Sequence, residues 1–98
     1  PEIPLKLPKI FLSKERGRRL DMIRVINSIF ELGFFVDENG RKSNKKDVFT
    51  VFGHAMNIDF SNYSHDLSSS LSDSTSMNKH LKIFEDMLDM MKKIFNLA

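Results

Sequence analysis

Ninety-eight residues, 41% of them apolar and 29% charged, describe a globular chain with enough material for one hydrophobic core and none to spare for a second. The absence of cysteine excludes a disulfide framework, a thiolate zinc site and a thiol nucleophile, and no apolar run approaches the ~18 residues that span a bilayer. The formal charge of +2 conceals an asymmetry: residues 1–46 carry eleven Lys and Arg against six acids, and residues 47–98 carry four against seven. A basic first half hints at a polyanion partner, though cations on solvated helix faces are the commoner explanation.

All three prolines fall in residues 1–9, where they remove backbone donors and bias their predecessors toward extended geometry. This stretch reads as a linker, with the domain proper over residues 10–98. PEIPLKLPKI lacks the basic head and apolar run of a secretory signal, so the expected location is cytoplasmic. The missing initiator Met points to a segment of something longer. Ile10, Phe11 and Leu12 suit one short strand. Ser13 is the predicted N-cap of a first helix whose apolar positions Leu20, Ile23, Ile26 and Phe30 recur every three or four residues. Gly17 inside that run costs about 1 kcal/mol relative to Ala and can delay the helix start. Gly33 fits the residue just past the helix, after which Phe34, Phe35 and Val36 are expected to turn back into the core.

The polar segment 37–46 turns at Asn39-Gly40. Ser43 or Asn44 can cap a second helix with a predicted apolar face of Val48, Val51, Phe52, Ala55 and Met56. Asn57 tolerates the left-handed conformation that ends such a helix. A third helix is expected over 60–71 from the spacing of Phe60, Tyr63, Leu67 and Leu71. Seven of the eleven serines lie between Ser64 and Ser76, so 72–76 reads as a flexible connector. The last helix carries Met77, Leu81, Phe84, Leu88, Met91 and Phe95 on one stripe, which at that spacing reads first as core. Lys92 and Lys93 suit its negative end. The expected architecture is mostly α: a four-helix domain with a helix-turn-helix or winged-helix-like centre and room for one short strand or hairpin.

No catalytic constellation emerges. His54, His65 and His80 lie 11 and 15 residues apart, a spacing that matches no helical metal-ligand pattern. No nucleophile elbow, zincin motif or phosphate-cradling loop is present. Asp37-Glu38-Asn39-Gly40 has its glycine at the wrong position for a calcium loop and is a turn. The chain reads as a non-enzyme without metal or cofactor. Four of its six methionines fall in the last helix, and a Met-rich face is either core or an adaptable partner surface.

The middle of the chain holds the more specific pattern. A helix-turn-helix needs a small residue where the second helix crosses the first, a turn residue tolerant of positive φ, and apolar anchors that lock the corner. With the turn at Asn57, the small residue is Gly53 and the anchors are Phe52, Met56, Ile58 and Tyr63. One anchor fails, because Asp66 stands where an apolar side chain belongs and Leu67 is one step out of register. A recognition helix here presents Ser61, Asn62, Ser64, His65 and Ser68 as base-reading candidates. It holds no Lys or Arg, so phosphate contacts fall to Lys14, Arg16, Arg18 and Arg19 in the first helix and to Arg41, Lys42, Lys45 and Lys46 in the loop.

The order of these features, from Ile10-Phe11-Leu12 through the Gly33-to-Gly40 turn to Val48, Phe52, the Met56–Phe60 run, Tyr63 and a terminal helix, resembles the C-terminal domain of RteC proteins. These are regulators found on tetracycline-resistance conjugative transposons, and the similarity covers roughly residues 10–95. It implies a helix-rich, winged-helix-like domain that binds double-stranded DNA in bacterial transcription regulation. Two departures stand out: a Ser/Asp-rich 67–76 where the family is basic, and Phe11 where Trp is expected. The alternative is a protein-interaction or oligomerisation module that acts or self-associates through helix 77–97 without binding DNA.

Overall fold

A computed structural model describes residues 7–71 and 77–96 of the chain. Helix α1 spans Arg18–Glu31 and opens after Gly17, not at Ser13. Gly17 sits at φ 88°, outside the helical region, and its carbonyl accepts the Asp21 N–H at 2.9 Å. Ser13 Oγ accepts the Glu15 N–H at 3.1 Å and so holds a separate turn ahead of the helix. At the far end Gly33 adopts φ 83°, the left-handed geometry that stops a helix and that glycine takes without steric cost.

The segment after α1 returns only one of its three apolar side chains. Phe35 is half-buried and meets the Phe52 ring edge-on at 5.5 Å, whereas Phe34 and Val36 are exposed. The chain is extended here, and alternate side chains of an extended segment point to opposite sides. Asp37 Oδ1 then accepts from the backbone of Asn39 (2.8 Å) and Arg41 (3.1 Å), which closes the turn under an isolated bridge from Val36 to Lys42. No sheet exists among the described residues, and the expected strand at 10–12 is absent. Ile10 and Phe11 are exposed and only Leu12 packs on the core, since no second strand lies alongside to satisfy a ladder.

Helix α2 spans Lys45–Met56 and is capped by Asn44, whose side chain accepts the Asp47 N–H at 2.8 Å and donates to the Asp47 carboxylate at 2.9 Å. Its buried positions are Val48, Phe49, Gly53 and Met56. The face is therefore rotated from the expected one: Val51 is 66% exposed and Ala55 lies outside. Turning Phe49 into the core turns Val51 out, because the two lie about 200° apart on the helix. Helix α3, Tyr63–Leu71, begins three residues later than expected, because 57–62 is occupied by the turn itself. Helix α4 spans Met77–Asn96.

The core consists of Ile23, Ile26 and Phe30 from α1, Val48, Phe49 and Met56 from α2, and Phe60 from the turn. Helix α1 packs against each of the other three helices. Helix α4 departs most from expectation. Its stripe does not fill a core: Leu81, Leu88, Met91 and Phe95 are all exposed, and among its described side chains burial is confined to His80 with half-buried Ile83 and Phe84. Residues 85–96 are all exposed. No described helix is long and apolar enough to cross a membrane. The connector expected at 72–76 lies outside the described residues, as do residues 1–6 of the expected linker.

Candidate nucleic-acid interface

The corner between α2 and α3 is built by backbone geometry first. Asn57 ends α2 at φ 55°, and the Ile58 N–H donates to the Gly53 carbonyl at 2.9 Å. That bond folds the chain back across Gly53. A Cβ on Gly53 would stand 2.6 Å from the Ile58 carbonyl oxygen and 3.4 Å from Phe60 Cδ2, so the position admits hydrogen and nothing larger. Asp59 Oδ1 accepts the Ser61 N–H at 2.8 Å and shapes the turn into α3. Phe49 fastens the two helices from inside, stacked on Tyr63 with ring centroids 4.2 Å apart and edge-on to Phe60 at 6.0 Å.

Two grooves flank this turn and share Ile58 as a common wall. The first is lined by Lys46, Thr50 and His54 of α2 and by Ser61 and Ser64. It joins one expected phosphate contact to two expected base readers. The second gathers Lys14, Arg16 and Arg19 beside Asn57. Asn62, His65 and Ser68 are exposed, but the Ser68 hydroxyl turns back onto its own helix, 3.0 Å from the Ser64 carbonyl and 3.2 Å from that of His65. The remaining cations stand elsewhere. Lys42 and Lys45 lie over the Phe30 ring at 4.9 and 5.5 Å, with Lys45 also paired to Glu31 at 3.2 Å, and Arg41 is exposed on the loop beside them. Arg18 is held between Glu15 at 3.1 Å and Asp21 at 3.5 Å.

Asp66, which fails as an apolar anchor, has a different task. The Arg19 guanidinium donates to its carboxylate at 2.5 Å and to the Asp59 carbonyl at 3.0 Å, while lying 5.9 Å from the centre of the Phe60 ring. One arginine of α1 thus ties both the turn and α3. The partners are 47 residues apart, so no local spacing signals the pair, and only the misplaced acid in an apolar register hints at it. Arg19 is accordingly a structural tie more than a phosphate contact. Among the described residues no group of three His, Cys, Asp or Glu side chains is placed to hold a metal ion.

The Ser61 amide and hydroxyl, with a smaller contribution from the Arg19 charge, hold the Asp59 carboxyl below the usual carboxylate range. A carboxyl depressed by folding contributes stability that is present above its unfolded pKa and is lost as the pH falls through the folded value. The stability gap between the native chain and Asp59→Ala is therefore expected to be widest at neutral pH and to narrow below about pH 4. Urea unfolding at pH 7, 5 and 3 measures it; a gap that widens in acid would remove the charge from the role assigned to it.

Compared with protein-family models, curated proteins and solved structures, the chain matches none.

Proposed function

We propose that the α2–turn–α3 corner is a helix-turn-helix that binds double-stranded DNA, and that the chain serves as a DNA-binding domain of an RteC-like bacterial regulator. One observation carries this reading: the close approach at Gly53 and the left-handed Asn57 stand four residues apart at a corner whose outer side is hydroxyl, amide and imidazole, with Lys46 on one flank and Lys14 and Arg16 on the other. The turn would supply Ser61 and Asn62, and helix α3 Ser64 and His65, toward base edges, Asn62 having the paired donor and acceptor that match adenine. Lys14, Arg16 and Lys46 would grip phosphate, since none of them is engaged in a salt bridge among the described residues.

Three phosphate contacts give a salt slope of roughly −3 in log K against log salt. Titrating the labelled domain with mixed-sequence duplex at low salt is expected to shift amides at 14–19, 46 and 61–65, and added salt to reverse the shifts. Lys46→Gln is expected to reduce the slope by about 0.9 and weaken all sequences alike. An absence of shifts at low salt would overturn the assignment.

A further inference from the structure

Helix α4 presents a different surface from the corner just described. Its positions 81, 84, 88, 91 and 95 recur at alternating intervals of three and four, the seam of a coiled coil. Leu81, Leu88, Met91 and Phe95 on that seam are exposed, and Phe84 is half-buried. On the outer flank of the seam stand Glu85 and Lys92, both exposed and neither tied in a salt bridge among the described residues. On the other flank, which begins with the buried His80, stand Met87 and Ile94, both exposed.

From this pattern we infer that α4 pairs with α4 of a second copy of the chain, antiparallel, with Leu88 opposite the partner's Met91 and Phe84 opposite the partner's Phe95. The flanks select that partner and that direction. In an antiparallel pair, like flanks face each other. Glu85 then meets the partner's Lys92 and the reverse on the outer side, while Met87 meets the partner's Ile94 on the inner side. A parallel pair would instead place the outer flank of one helix against the inner flank of the other, setting Lys92 beside Met87 and Glu85 beside the buried His80. The helix is thus complementary to itself in one direction only. Asp86 is engaged by Lys82 within the same helix and lies away from the seam, so it takes no part. The pairing involves none of the corner residues and stands whether or not that corner binds DNA.

Charge exchange tests it, with sedimentation equilibrium as the readout. The native chain is expected to sediment at twice its 11.4 kDa mass. Glu85→Lys sets two Lys–Lys contacts in place of two ion pairs and is expected to weaken association by about tenfold. Glu85→Lys with Lys92→Glu restores the pairs in reversed sense and is expected to recover the native dimer. Circular dichroism checks that each variant keeps its helix content, which these exposed positions permit. A monomeric native chain overturns the inference, as does a dimer indifferent to Glu85→Lys or a double variant as weak as the single one.

Discussion

Phe49→Ala is expected to cost about 4 kcal/mol of folding stability, within the range found for emptying a buried aromatic site. Phe49 is 1% exposed and is the largest fully buried side chain among the described residues. Its ring is shared by three elements: it extends from α2 and contacts Phe60 of the turn and Tyr63 of α3. Removing it leaves a void and breaks two aromatic contacts together, each worth about 0.5–1.5 kcal/mol beyond its area. Collapse of the surroundings offers little relief, because Gly53 and the Ile58 backbone are already in close approach beside it. A chain of this size has roughly 5–15 kcal/mol to lose, so the variant is expected to sit near its unfolding midpoint under mild urea. Phe34→Ala supplies the contrast. That ring is 68% exposed, and its loss is expected to stay within about 0.5 kcal/mol. Equal costs for the two would mean that α2 is rotated back to the face its sequence period suggests.

That rotation marks the limit of what pattern reading reaches in this chain. Helix existence and order are legible, because Ile23, Ile26 and Phe30 form an unbroken three-and-four series and because Gly33, Asn44 and Asn57 adopt the conformations those residue types favour. The facing of α2 was not. Both Phe49 and Val51 are apolar, and the choice between them depends on what the turn brings in from Phe60 and Tyr63. The corner was legible for the same reason as the caps: a glycine and an asparagine four residues apart satisfy two backbone requirements that few other residues meet. The pairing of Arg19 with Asp66 was beyond reach, since it joins α1 to α3 with no sequence proximity. Helix α4 shows the opposite failure. Its three-and-four period is plain in the sequence, but period alone does not say whether a stripe is buried or exposed. Exposure decides it: Leu81, Leu88, Met91 and Phe95 are open to solvent.

Gly53→Ala sets helix propensity directly against the geometry of the corner. On propensity alone the change stabilises an interior helical position by about 1 kcal/mol. The new methyl, however, would stand 2.6 Å from the Ile58 carbonyl oxygen, a backbone atom that cannot swing aside as a side chain does. Its residue is also bound back to Gly53, through the Ile58 N–H and the Gly53 carbonyl at 2.9 Å. Relieving the clash therefore means lengthening that hydrogen bond and moving the turn away from α2. Overpacking of this kind costs about 3 kcal/mol where the obstacle is rigid, which leaves a net loss of about 2 kcal/mol. Urea unfolding of Gly53→Ala beside Thr50→Ala, at an exposed position one turn earlier on the same helix, separates the two effects. The expected result is a lower midpoint for the first and a nearly unchanged midpoint for the second. A gain in stability at position 53 would show that the chain does not cross α2 so closely. The grooves on either side of Ile58, with Lys46 and Ser61 in one and Lys14 and Arg16 in the other, would then lose the frame that holds them together.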